Sequence, residues 1–275
     1  MPIESKEQSA ERIPGRKVIL LVDDDRDFLS MTKGWLKISY DNSNYDWFYF
    51  DSKGHMMTGW QTIGNDTYYF GSSMYSGGYR GIYNQETEEY DYYYFDDKGH
   101  LSRNGWIEEP SEYSKTSSWY YADADGKLAM GWKKIGSYKY YFAPYMYADR
   151  FMYDETGNYY FDEKGHMCTG WFKPSRSWRD LWYYAEADGT LADGWKKLGG
   201  YWYYFPSGSS MIQNQPYMID GKTYGFDSDG HMIKGKWYYF TGSSSAWYYF
   251  QSNGVGAEGV YKVGEIGRAS CRERV

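Results

Sequence analysis

Cysteine is almost missing from this sequence: two residues in 275, Cys168 and Cys271. No disulfide framework is expected, and no C-x-x-C pair offers metal-ligand spacing. Aliphatic side chains are also scarce. Ile, Leu and Val together number 27, too few for an ordinary globular core. No run of about 18 apolar residues occurs, so no membrane insertion is expected. The net charge is −7 and no long basic run occurs. The electrostatic footprint of nucleic-acid binding is therefore lacking, and no nucleic acid is expected as a partner. No export signal is visible either: residues 1–16 are polar, and the apolar run Val18–Val22 is too short for a signal-peptide core.

What replaces the aliphatics is aromatic. Trp, Tyr and Phe number 61 and Gly 32, and they recur in order. A Gly-Trp pair stands at Gly34-Trp35, Gly59-Trp60, Gly105-Trp106, Gly131-Trp132, Gly170-Trp171 and Gly194-Trp195. Between the pairs lie aromatic triplets such as Tyr68-Tyr69-Phe70, Tyr159-Tyr160-Phe161 and Tyr203-Tyr204-Phe205, with Trp119-Tyr120-Tyr121 and Trp182-Tyr183-Tyr184 as variants. Above this short period runs a longer one. Lys53-Gly54-His55-Met56 returns at His100, His166 and His231, at spacings of 45, 66 and 65 residues. The short unit reads as two hairpins and each long unit as three. Dropping a whole hairpin without losing the pattern indicates a modular array instead of one closed core.

Each module reads as a β-hairpin. Aromatics favour strands, and neighbours in a triplet point to opposite faces. Both faces are then apolar, which suits a strand covered by the next module. Asp125-Gly126, Asp188-Gly189, Asp220-Gly221 and Asp229-Gly230 are turn signals, since Gly supplies positive φ, and Gly54, Gly99 and Gly165 hold the same place. No segment shows sustained helical periodicity. All four histidines follow a turn Gly and are read as turn residues, with no metal site expected. Asp123-x-Asp125-Gly126 and Asp227-x-Asp229-Gly230 lack the remaining ligands of a calcium loop. Carboxylates abound, yet catalytic constellations are usually unique in a chain and nearly every feature here is repeated. No catalytic residue, no cofactor and no enzymatic activity are expected.

The two ends differ from the rest. Lys17–Asp25 resembles the first strand and acidic pair of a response-regulator receiver domain, but repeats begin by Gly34 and no such domain can be completed. Residues 1–33 are a degenerate repeat, with Met31–Trp35 matching the repeat junction, or a chimeric join. The last eleven residues, 265–275, back-translate codon for codon into a common sequencing-adapter string. They are expected to be foreign to the protein. Residues 34–264 are thus expected to be the repeat array.

The string Thr169-Gly170-Trp171, the spacing of Gly194-Trp195 to Trp202–Phe205, and Tyr159–Met167 resemble the choline-binding or cell-wall-binding repeat family, which extends to glucan-binding regions of surface enzymes. The resemblance covers roughly residues 34 to 260. It implies an all-β fold, a β-solenoid of stacked hairpin repeats, with a short or poorly structured non-repeat N-terminus. It implies non-catalytic attachment of a secreted or cell-surface bacterial protein to teichoic-acid choline, or to a glucan or peptidoglycan polymer. In choline-binding members, an aromatic cage between successive hairpins holds a quaternary ammonium by cation–π attraction. Carried over by position, Trp195 with Trp202 matches best. Trp132 with Tyr140 and Trp60 with Tyr68 substitute Tyr. Trp171 with Trp182, Trp106 with Trp119 and Trp35 with Trp47 keep both tryptophans across longer loops. Two other functions fit the same pattern: a spacer or adhesion array without a small ligand, and a fragment of a carbohydrate-active enzyme whose catalytic domain lies elsewhere.

Overall fold

Short aromatic strands separated by Gly-centred turns can pair only with their immediate neighbours, and that is what the chain does. The computed structural model describes residues 17–19, 33–40, 44–111, 116–175, 181–241, 245–258, 261–262 and 268–269. The chain divides into two compact units: residues 1–131 with 142–146, and residues 132–141 with 147–275. The first unit holds four antiparallel hairpins: Gly34–Ser39 with Tyr45–Phe50, Gly59–Ile63 with Asp66–Phe70, Gly78–Asn84 with Glu89–Phe95, and Gly105–Glu109 with Ser118–Ala122. Most of a fifth, Gly131–Ile135 with Tyr138–Phe142, belongs to the second unit. There it is followed by Arg150–Asp154 with Gly157–Phe161, Gly170–Phe172 with Tyr183–Ala185, Gly194–Leu198 with Tyr201–Phe205, Gln215–Ile219 with Lys222–Phe226, and Lys236–Phe240 with Ala246–Phe250.

Two hairpins lie between His55 and His100, and three lie between each later pair of histidines, as the spacings require. No α-helix is present among the described residues, and none there is long and apolar enough to cross a membrane.

Strand alternation decides which rings are interior. The last residue of each triplet faces the axis of the stack: Phe95, Phe142, Phe161, Phe205, Phe226 and Phe250 are all 0% exposed. Where the triplet is Trp-Tyr-Tyr, Ala122 and Ala185 take that position, equally buried. Each unit is therefore a β-solenoid whose core is one residue deep per hairpin, filled by aromatic area in place of aliphatic volume.

One backbone bond stitches each hairpin to the next. The N–H of Met74 donates to the carbonyl of Trp47 at 2.8 Å, Met146 to Trp119 at 2.7 Å, Met211 to Trp182 at 2.7 Å and Met232 to Trp202 at 2.8 Å. Leu101, Leu128, Met167 and Leu191 repeat the stitch onto Thr67, Tyr92, Lys139 and Asn158. The stitch needs close approach. Gly230 has φ +78°, and a Cβ there would lie 2.2 Å from the Met211 Sδ, so glycine is demanded by both backbone and packing.

The turns differ from the sequence expectation in one respect. Asp220-Gly221 closes its own hairpin, with Ile219 opposite Lys222. Asp125-Gly126, Asp188-Gly189 and Asp229-Gly230 instead link one hairpin to the next, after the second strand. In those links an aspartate closes the loop on itself. Asp227 Oδ1 accepts the N–H groups of Asp229 and His231 at 3.0 and 2.8 Å, and Asp51, Asp96 and Asp162 do the same. The other carboxylate oxygen faces the histidine Nδ1 at 3.0–3.5 Å.

At the N-terminus Lys17–Ile19 forms a strand parallel to Leu36–Ile38, while Asp23, Asp24 and Asp25 fall outside the described residues. Near the C-terminus Tyr261–Lys262 pairs with Arg268–Ala269. Cys271 and most of 265–275 fall outside the description.

Candidate ligand clefts between hairpins

The Trp of Gly-Trp projects from the face opposite the axial Phe. Directly across the hairpin stands the middle Tyr of the triplet, as Trp195 faces Tyr204. Two residues earlier on that second strand, on the same face, lies the position that decides the shape of the junction.

In four of the Gly-Trp hairpins this position is a second tryptophan, and the two indoles meet at a right angle. Trp35 and Trp47 are 6.3 Å apart at 88°, Trp106 and Trp119 6.4 Å at 79°, Trp171 and Trp182 6.3 Å at 89°, and Trp195 and Trp202 6.2 Å at 87°. The next hairpin brings a third ring to the corner. Tyr68 lies 4.9 Å from Trp35, Tyr203 5.0 Å from Trp171, and Tyr224 4.8 Å from Trp195. An axial Phe backs each of the four corners: Phe70, Phe142, Phe205 and Phe226, 5.8–5.9 Å from the first indole. Trp106, Trp171 and Trp202 remain 38–40% exposed, so the corners open to solvent.

Such a corner presents two or three negative ring faces to one small volume. It suits a compact, weakly hydrated cation or the apolar face of a sugar. The charge opposite the second indole varies. Lys37 and Lys197 stand across from Trp47 and Trp202, and Lys173 Nζ lies 4.4 Å from the Trp182 ring. Glu108 stands across from Trp119. Burial, then the nearby Asp227 charge, raises the Tyr203 phenol above its ordinary value, so this wall is neutral at physiological pH.

The structure thus brings together Trp195 with Trp202, Trp171 with Trp182, Trp106 with Trp119, and Trp35 with Trp47. It does not bring together Trp60 with Tyr68, or Trp132 with Tyr140. Trp60 lies across from Tyr69, and Tyr68, one residue earlier, points to the other face; it is buried and serves as the third ring at Trp35. Trp132 contacts Tyr141 at 5.4 Å, whereas the buried Tyr140 meets His166 edge-on. At both junctions the deciding position is not aromatic: it is Thr67 beside Trp60 and Lys139 beside Trp132.

Sequence reasoning missed the third rings Tyr203 and Tyr224. A signal was present: a Tyr two residues before the axial Phe recurs one hairpin after each Gly-Trp, as Tyr203 before Phe205 and Tyr224 before Phe226. Elsewhere, Asp227, Asp229 and His231 offer ligand atoms within 4.8 Å of one another, but the Asp227 carboxylate is engaged by its own turn. Cys168 packs beside Tyr160 and Phe172, where burial pushes its thiol up to about 11 and leaves it a poor nucleophile.

Fold and clefts define a class: an all-β aromatic hairpin solenoid with ring-lined corners between repeats. Residues 58–73, 104–128, 130–144, 193–208 and 243–255 match the model of the cell wall binding repeat. Those five segments therefore carry cell wall binding repeats. It is 29% identical over 219 residues to glucosyltransferase-S of Streptococcus mutans, a match covering 78% of this chain and 14% of that protein. Two crystal structures of choline binding protein F from Streptococcus pneumoniae, one determined with a tetrasaccharide-pentapeptide peptidoglycan analogue, are 24% identical. Each comparison covers 85% of this chain and 89% of that one, with TM-scores of 0.54 and 0.56, which establishes the shared fold.

Proposed function

We propose that this chain is a non-catalytic attachment module that holds a secreted or surface protein to a bacterial cell-envelope polymer. Residues 34–264 are its repeat array. The observation that carries this reading is the right-angle indole corner, built four times with ring separations that differ by only 0.2 Å (6.2 to 6.4 Å). Repetition of one half-open aromatic cleft suits a polymer with a repeated substituent. Weak sites along one chain then act together through high effective concentration.

The ligand class favoured is the quaternary ammonium of choline-substituted teichoic acid. Trp195 with Trp202, Trp171 with Trp182 and Trp35 with Trp47 are each closed by a Tyr, and Trp106 with Trp119 is the fourth site. The axial and third-ring residues support those walls. A glucan is the second reading, favoured by the glucosyltransferase relative. The parent protein would then carry its catalysis outside these repeats.

The test is retention of the purified chain on cell walls and on glucan resin, followed by elution with free choline. Retention on walls and release by millimolar choline is the expected result. Retention that choline does not reverse, with binding to glucan, selects the second reading. Failure to bind either polymer overturns the attachment role.

A further inference from the structure

The Trp132 junction has the framework of a cleft but a different occupant. Tyr159 of the next hairpin stands 4.8 Å from Trp132 at 74°, and Phe161 backs it at 5.5 Å. These values match the Trp195 corner, where Tyr224 stands at 4.8 Å and 74° and Phe226 at 5.8 Å. The stitch is also kept, from the Met167 N–H to the carbonyl of residue 139 at 2.9 Å. Only the deciding side chain differs, and it is a lysine. Its Nζ lies 4.0 Å from the centroid of the Trp132 ring, within the range of a cation–π contact. Two carboxylates belong to the same junction. Asp154 Oδ2 accepts the Trp132 indole N–H at 3.4 Å. The Asp188 carboxyl, held low chiefly by the Thr190 hydroxyl, also feels the Lys139 charge.

We infer that the Trp132 junction is a latent cation cleft closed by the chain's own ammonium, Lys139, and that it takes an exogenous quaternary ammonium only when that side chain is removed. The inference rests on the aromatic corners being ammonium sites. Lys139 holds the position that the second indole holds at Trp195, so its ammonium replaces a wall of the cleft, whereas Lys173 lies beside a corner that keeps both indoles. Tethering holds the Lys139 ammonium at this ring at an effective concentration on the order of millimolar or above. Lys139 is therefore a determinant of how many repeats engage the polymer. Its replacement by Trp would restore the two-indole wall found in four other hairpins, and its replacement by Ala would leave Trp132 and Tyr159 as an open pair.

The experiment is ¹⁹F NMR of the full chain labelled with 5-fluorotryptophan, titrated with choline chloride. The resonances of Trp132, Trp171 and Trp195 are assigned by single Trp→Phe variants. In the unmodified chain the Trp171 and Trp195 signals are expected to shift while Trp132 stays still. In Lys139→Trp and Lys139→Ala the Trp132 signal is expected to shift over the same choline range as Trp195. A Trp132 shift in the unmodified chain at that range overturns the closure. A Trp132 signal that remains still in both variants, while Trp195 responds, overturns the latent site. If Trp171 and Trp195 themselves fail to respond, the ammonium reading of the corners fails instead. Unchanged signals of the other tryptophans before titration show that each variant is folded.

Discussion

The Trp195 junction and the Trp60 junction share everything except one side chain. Each has a Gly-Trp, a facing Tyr, a Tyr ring from the next hairpin and an axial Phe behind. Each is stitched by a backbone bond of 2.8 Å, Met232 to Trp202 in one and Leu101 to Thr67 in the other. Yet Trp202 completes a two-indole corner, and Thr67 leaves Trp60 without a second indole. The solenoid therefore depends on the axial ring, the turn glycine and the stitch. The second indole is an addition that folding does not require. Stability and ligand binding are carried by different residues of the same short strand, two or three positions apart.

The comparison is broken most forcefully at the axis. Phe226→Ala removes a fully buried ring and is expected to destabilise the second unit by about 3–5 kcal/mol, read as a lowered midpoint in thermal or urea unfolding. If Trp202→Ala costs as much stability as Phe226→Ala, the separation of roles is wrong.

A smaller effect sharpens the contrast within the first unit, at a hairpin with no Trp. Asp91 is the buried charged residue of the described core, paired with Lys127 and accepting from Asn84 at 2.9 Å. Burial alone would raise its carboxyl, but the Lys127 and Asn84 hydrogen bonds outweigh it and hold the group below its ordinary value of 3.8. A depressed folded-state value means the stabilisation is fully present above that ordinary value and fades as pH falls through the depressed one. Asp91→Asn is expected to cost about 1.5–3 kcal/mol at neutral pH. The gap between variant and parent should close below pH 3.8, as followed by urea unfolding at several pH values.

The smallest effect is on a single site. Trp202→Ala should weaken choline binding at its own corner by roughly tenfold, or about 1–2 kcal/mol. Trp60→Ala should leave choline binding unchanged. Calorimetric titration of the two variants beside the parent distinguishes them.

Much of this was legible before any coordinates. The hairpins followed from the triplets and glycines, and their number from the histidine spacings, because strand alternation and local pairing need only nearby residues. The corners formed by two tryptophans were also readable. The junctions at Trp60 and Trp132 were not. Choosing between Tyr68 and Tyr69, or Tyr140 and Tyr141, requires the cross-strand register, and a one-residue difference moves a ring to the other face. The Lys139 ammonium over Trp132 depends on a side-chain path, which a pattern of residue types does not encode.

The central claim is that right-angled indole pairs, and not aromatic richness in general, are where ligand binds. A crystal structure of the full chain soaked with choline tests it directly. The account predicts ligand density between Trp195, Trp202 and Tyr224 and between Trp171, Trp182 and Tyr203, with none over Trp60. Density at Trp60 with both tryptophan corners empty would contradict it.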